Sequence, residues 1–327
     1  MSVTVFAILF LALVLDRLVG DPSWLWQRVR HPVVVFGAAI DALDRRMNRE
    51  SLAGAIRRRN GVLAIALLLV GAVLAGCLLH GFFAALGLVG FLLEIAVVAI
   101  LLAQKSLKDH VVAVADGLRQ EGLAGGRRAV SMIVGRDPET LDEAGVVRAA
   151  IESLAENFAD GTVAPALWYA VAGLPGIFAY KMLNTADSMI GHKSPKYIDF
   201  GWASARLDDL ANWPAARLSS LLIAAGAAIR QGTAAARRSL SVAFRDSGLH
   251  RSPNSGWPEA AMAGALDIRL AGPRIYGGQL VSEPMINGAG RATADAGDIG
   301  AAIGIFDAAC SSLAAVALGL TVIAILL

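Results

Sequence analysis

The sequence predicts an all-α, polytopic integral membrane helix bundle, with about five to six membrane-embedded segments and a polar cavity at its cytoplasmic side. Three observations carry that expectation. Hydrophobic residues make up 56% of the 327 and charged residues only 17%, against roughly 45–50% and about 25% in a soluble domain. The apolar residues gather in uncharged runs close to the ~20 residues that a spanning helix needs. The basic residues, in turn, sort into the stretches between those runs.

The runs follow in order along the chain. Val3–Leu15 is short for a span, lacks a basic leader and an A-x-A site, and is followed at once by Asp16-Arg17. It reads as a retained, membrane-associated helix rather than a signal peptide. Gly61–Leu79 is free of charge, and Phe82–Ala103 carries one acid, Glu94. Only His80-Gly81 separates them, so the pair reads as a helical hairpin. Thr162–Tyr180 is uncharged but holds Pro165, Gly173, Pro175 and Gly176. Pro214–Ile229 is short and contains Arg217, and Ile299–Leu327 is interrupted only by Asp307. The whole chain reads as a single membrane-embedded domain, 1–327.

Residues 16–60, 104–161 and 230–300 hold 24 of the 29 Lys and Arg. The positive-inside rule makes their side cytoplasmic, which places the protein in the cell (inner) membrane. With single crossings, 181–213 faces outward, away from the other polar clusters. A single cytoplasm-accessible cavity therefore requires that 181–213 fold back, or that 162–180 be re-entrant and turn at Leu174-Pro175-Gly176. A net charge of +2 offers no basic surplus for nucleic acid. The two cysteines, Cys77 and Cys310, lie in apolar runs and read as packing residues. No P-loop, G-x-S-x-G or H-E-x-x-H motif is present.

Polar residues concentrate in four clusters. Glu152, Glu156 and Asp160 fall at i, i+4, i+8 on one helical face with no intervening cation, and like charges so spaced repel. Such a face invites Mg²⁺, which prefers carboxylate and water oxygens. Lys181, Asn184, Asp187 and Ser188 form a helical stripe, followed by His192-Lys193; ionisable groups beside a membrane segment are functional candidates. In the third cluster Arg206 and Asp209 are spaced to pair, leaving Asp208 and Asn212 to ligate. The fourth, His250-Arg251-Ser252-Pro253-Asn254 ahead of Glu259, is a capped loop or an anion site at a helix start. Gly288-Ala289-Gly290-Arg291 carries no nucleotide signal.

Asp16-Arg17-Leu18-Val19-Gly20-Asp21-Pro22, followed by His31-Pro32-Val33, resembles the N-terminal signature of the CobD/CbiB family of cobalamin biosynthesis. Glu152–Asp160, Lys181–Lys193, Arg206–Asn212 and His250–Leu266 are similar to that family's blocks in the same order. The family's acidic glycine turn near the end is replaced here by Asn287-Gly288-Ala289-Gly290-Arg291. The resemblance implies adenosylcobinamide-phosphate synthase activity, a ligase reaction. It joins (R)-1-amino-2-propanol O-phosphate, or aminopropanol, to a propionate of adenosylcobyric acid as an amide, with ATP and Mg²⁺ activating the carboxylate. Glu152, Asp160, Asp187 and Asp208 would then hold Mg²⁺. Asn157, Lys181, Asn184, Lys193, Arg251, Ser252 and Asn254 would bind substrate and phosphates. Glu152, Asp187, His192 and Glu259 would be catalytic, with His192 or Glu259 taking the amine's proton. The partners implied are the corrinoid, the amine, membrane lipid, and other copies or corrinoid-pathway membrane proteins. Two other classes fit the residues: a Mg²⁺-dependent membrane transferase using the N-x-x-D pairs Asn157/Asp160 and Asn184/Asp187 on a diphosphate, and a non-catalytic corrinoid-binding or transport protein.

Overall fold

The computed structural model describes residues 3–135, 137–276, 279–281 and 283–327. Its helices are α1 (Val3–Val19), α2 (Ser23–Trp26), α3 (Pro32–Met47), α4 (Gly54–Ala85), α5 (Leu88–Leu101) and α6 (Gln104–Val130). They continue as α7 (Glu143–Phe158), α8 (Ala164–Ile190), α9 (Trp202–Gln231), α10 (Thr233–Asp246), α11 (Gly256–Leu266) and α12 (Ala296–Leu326). A π-helical turn, Ala159–Val163, joins α7 to α8. The only strands among the described residues are two short antiparallel pairs. β1 (Leu270–Ala271) pairs with β4 (Met285–Ile286), and β2 (Arg274–Tyr276) with β3 (Gln279–Val281). The protein is an all-α membrane bundle.

Among the described residues, four helical stretches are long and apolar enough to cross a membrane: Gly54–Ala85, Leu88–Val130, Glu143–Ile190 and Ala296–Leu326. The expected hairpin exists, but α4 runs on past His80-Gly81 and the chain turns at Gly87. His80 belongs in the helix because its Nδ1 meets Glu94 Oε2 of α5 at 3.0 Å. Glu94 is therefore not a lone acid. It is 4% exposed, and its other oxygen accepts a 2.7 Å hydrogen bond from Tyr169 of α8.

The turn at Gly87 is one of three alike. Gly87 (φ 57°, ψ −126°), Gly122 inside α6 (φ 64°, ψ −152°) and Gly173 inside α8 (φ 62°, ψ −150°) share a backbone conformation open to glycine and strained for other residues. Each is followed by Leu, and by a second glycine three positions on: Gly90, Gly125 and Gly176. A Cβ on these second glycines would collide with the backbone of Phe83, Gly117 and Trp168, respectively. In a straight helix residues seven or eight apart are separated by about 10–12 Å, so at each G-L-x-G the chain doubles back on itself. The reversal in α8 comes at Ala172-Gly173, just before the Leu174-Pro175-Gly176 turn considered from the sequence. Pro175 falls in the first turn of the returning arm, where its missing N–H is tolerated.

The chain divides into two compact units, each assembled from separated stretches: Met1–Ala103, Ala164–Asn212 and Ala317–Leu327 in the first, Gln104–Val163 and Trp213–Val316 in the second. In the first unit α4 packs on α3, α5 and α8, and α1 packs on α5 and α8. Phe36, Ile40, Ile65, Leu68, Met182 and Phe200 are central to that core. In the second unit α7 packs against α6 and α11, and α10 lies along α11. Phe158 and Phe306 meet edge to face there at 5.5 Å.

Candidate active site

The first unit gathers the second and third sequence clusters. The returning arm of α8 ends in Gly191, whose N–H donates to the Asp187 carbonyl at 2.7 Å. A Cβ at Gly191 would occupy the place of the Asp187 carboxylate, so glycine is required for the carboxylate to lie where it does. Asp208, 8% exposed, comes from the start of α9. Its Oδ2 accepts a 2.9 Å hydrogen bond from Asn212, whose own oxygen accepts from the Tyr180 hydroxyl at 2.8 Å. Its Oδ1 is sealed from solvent and has no hydrogen-bond partner among the described residues. Burial, and then the nearby Asp187 carboxylate, push the Asp208 carboxyl up to about 7, while the Asn212 and Asn184 amides pull the other way.

Asp209, beside it, is raised by burial and lowered by Arg206 and Lys193, so the spacing of Arg206 and Asp209 does make them electrostatic partners. Asp187, Asp208 and the Asn184 amide thus form a group of hard oxygen donors, with Arg206 and Lys193 acting on the adjoining Asp209. The expectation that Asn212 stays open for ligation fails, because its side chain is spent between Tyr180 and Asp208. Lys181 is half-buried, and both His192 and Lys193 are exposed. An apolar groove of about 350 Å³ beside the Gly173 bend, lined by Leu69, Val73, Trp168 and Pro175 among others, offers no polar group for chemistry.

The second unit gathers the first and fourth clusters, with different partners from those their spacing suggests. Glu152, 4% exposed, accepts the Ala271 N–H at 2.7 Å, and Glu156 accepts the Ser255 hydroxyl at 2.8 Å. Asn157 donates back to Ser153 of its own helix. The π turn Ala159–Val163 follows, and Asp160 lies within it. Thr162, in the same turn, is fully buried with a hydroxyl that has no partner among the described residues, and π turns are frequent at functional sites. Among the described residues no three His, Cys, Asp or Glu side chains form a metal centre by themselves. Mg²⁺ needs no such cage, since it is held by one or two carboxylates plus substrate phosphates and water. The Asp187–Asp208 pair, with one sealed and unpartnered oxygen, meets that requirement best.

In the fourth cluster Ser252 caps the turn, its Oγ accepting from the Asn254 and Ser255 amides. Asn254 is buried and receives Arg217, whose guanidinium lies against the Trp213 and Trp257 rings. Ser252 and Asn254 thus shape the loop. Arg251 keeps 60% of its side chain exposed, 3.6 Å from Glu283. His250 opens this cluster. It is buried with Nε2 3.6 Å from Glu259 Oε1, and its Nδ1 accepts the Ser252 N–H at 3.0 Å. That acceptor role assigns the proton to Nε2, facing Glu259. The signal available in the sequence was His and Glu nine residues apart around a Pro-Asn-Ser-Gly turn. Tyr180 and Glu283 gave none, since each acts through a distant residue.

The family model for the CobD/Cbib protein matches residues 9–306. The chain belongs to the CobD/Cbib family. It is 69% identical over 323 residues to a cobalamin biosynthesis protein CobD of Sinorhizobium sp, covering 99% of this chain and 100% of the relative. It is 66% identical to the protein of that name from Rhizobium meliloti, over 95% of each, and 48% identical to that from Rhodobacter capsulatus, over 86% and 87%. No solved structure matches the chain. Membership of the CobD/Cbib family and these relatives support a role in cobalamin biosynthesis.

Proposed function

We propose that this CobD/Cbib member is an adenosylcobinamide-phosphate synthase of the cell membrane, acting from the cytoplasmic side. It condenses (R)-1-amino-2-propanol O-phosphate, or aminopropanol, with a propionate of adenosylcobyric acid. A carboxylate does not condense with an amine unaided, because oxide is a poor leaving group. In this reading a propionate oxygen attacks the γ-phosphorus of ATP and ADP leaves. The amine nitrogen then attacks the acyl phosphate carbon, phosphate leaves with the bridging oxygen, and a proton is lost from nitrogen.

Bound Mg²⁺ would neutralise phosphate charge, the main requirement of phosphoryl transfer, and Asp187 and Asp208 are the residues best fitted to hold it. Lys181 and Lys193 supply cations to the nucleotide phosphates, and Arg251 supplies a planar fork to the phosphate of the amine. Glu259, with the His250 Nε2 proton turned toward it, takes the proton from the attacking amine. Glu152 and Asp160 remain proposed ligands of lower rank, because Glu152 already serves the Ala271 amide. His192 stays an alternative proton acceptor.

The observation that carries this reading is the sealed, unpartnered Asp208 oxygen beside Asp187, in a chain of this family. Its test is incubation of the detergent-purified protein with adenosylcobyric acid, either amine and Mg·ATP. Amide product with ATP consumed supports it. Transfer from a diphosphate substrate would favour the transferase reading, and corrinoid binding without turnover would favour a carrier.

A further inference from the structure

The charged side chains where α3 meets α4 fall into two sets. In the first, each has a structural partner. Arg57 is buried, with Nε donating to Asn48 Oδ1 at 2.7 Å and the guanidinium also holding the Lys196 carbonyl. Asn48 bonds Asp44 and the same carbonyl, and Lys196 pairs with Asp44 at 2.9 Å. Arg45 pairs with Asp41, and Arg58 lies 3.7 Å over the Trp202 ring. Arg46, Arg49 and Arg59 form the second set. All three are exposed, and none makes a hydrogen bond, ion pair or ring contact among the described residues.

Two bonds, Asn60 to the Met47 carbonyl at 2.8 Å and Arg57 to Asn48, tie the end of α3 to the start of α4. The three arginines therefore flank one junction. The nearby acids include Asp41 and Asp44, already paired, with Glu50 exposed and Asp199 beside Gly54. Beyond Arg59, α4 turns Val62, Leu63, Leu67, Val70 and Leu74 outward. Leu63 lies about 6 Å along the axis from Arg59 at 1.5 Å per residue. The three guanidinium groups thus stand where the apolar, outward-facing surface of a spanning helix begins. Trp202, 38% exposed beside them, is the kind of aromatic found at the headgroup level.

We propose that the α3–α4 junction binds the phosphate of anionic phospholipid headgroups through Arg46, Arg49 and Arg59. Basic clusters at the end of a spanning helix attract acidic lipids, and the guanidinium fork suits phosphate oxygens. A soluble phosphate ester offers the same group, but not the acyl chains that the exposed α4 face would cover, so the occupant is lipid.

The test is native mass spectrometry of the full chain in detergent, titrated with phosphatidylglycerol or phosphatidylcholine. The expected result is retention of phosphatidylglycerol about a hundredfold above phosphatidylcholine, with each arginine contributing about fivefold. That preference is lost in the triple variant R46Q/R49Q/R59Q and largely kept in R46K/R49K/R59K, and millimolar glycerol phosphate does not displace the lipid. Equal retention of the two lipids, or a preference unchanged in the Gln variant, overturns the proposal. Displacement by glycerol phosphate overturns it in favour of a soluble ligand. Should the Gln variant fail to fold, a salt series on the unaltered protein decides. The preference must shrink as ionic strength rises from about 0.05 to about 0.5 M, and constancy overturns the proposal.

Discussion

With its carboxyl pushed up to about 7 by burial and by Asp187, Asp208 changes charge near neutral pH. Its ordinary value is about 3.9. Between the two, the folded protein keeps a proton that the unfolded chain has lost, so folding stability falls as pH rises from about 4 to about 7 and then levels off. Metal binding has the opposite slope, because a cation needs the charged form. Mg·ATP affinity should weaken about tenfold for each pH unit below 7 and be flat above it, and Asp208→Asn should abolish the slope; calorimetric titration checks both. Asp187→Asn should leave the protein inserted but greatly reduce turnover, whereas wild-type rates at low Mg²⁺ would return Asp187 to a packing role. Arg251 is tested through its substrate. A hydrogen bond to a charged group contributes about 1.5–3 kcal/mol, so Arg251→Gln should cost roughly 10- to 100-fold in kcat/KM with the phosphorylated amine. Unphosphorylated aminopropanol should lose much less. Equal losses would assign Arg251, already beside Glu283, to another task.

At the scale of elements, the glycine reversals decide how apolar runs become a fold. The runs themselves were legible, because length and lack of charge are local properties. The bends were not, because a glycine in an apolar run looks the same whether it packs or turns. Gly71 lies within α4 with nothing within 4 Å of where its Cβ would be, whereas Gly173 has φ 62° and ψ −150°. Gly173→Ala should therefore destabilise by about 1–3 kcal/mol, while Gly71→Ala should be neutral or slightly stabilising; thermal denaturation in detergent compares them. The π turn that holds Asp160 was equally invisible, because no local sequence signal marks it. Glu94 shows the same limit. Its partners, His80 and Tyr169, are 14 and 75 residues away, and only the nearer was within reach of a sequence pattern. Glu94→Leu strands the buried Tyr169 hydroxyl, which should lower stability by about 1–3 kcal/mol with KM for substrates unchanged.

Across the whole molecule, the four polar clusters were readable as clusters because each is short and continuous. Their internal economy was not: Glu152 answers an amide 119 residues distant, and Asp208 is set by Tyr180 through Asn212. Nor does any shift of composition mark the two units, since each is woven from separated stretches. In the proposed reading the stretch around position 193 returns to the cytoplasmic face, so a cysteine there should label from that side; labelling only from outside contradicts a cytoplasm-accessible site. The central claim is that ATP activates a carboxylate for amide formation. It is tested most directly with adenosylcobyric acid whose reacting carboxylate carries ¹⁸O in both oxygens, incubated with aminopropanol phosphate and Mg·ATP. The expected result is ADP, the amide, and released inorganic phosphate bearing one ¹⁸O. Label in AMP, or amide formed with no label transferred to any phosphate, would contradict it.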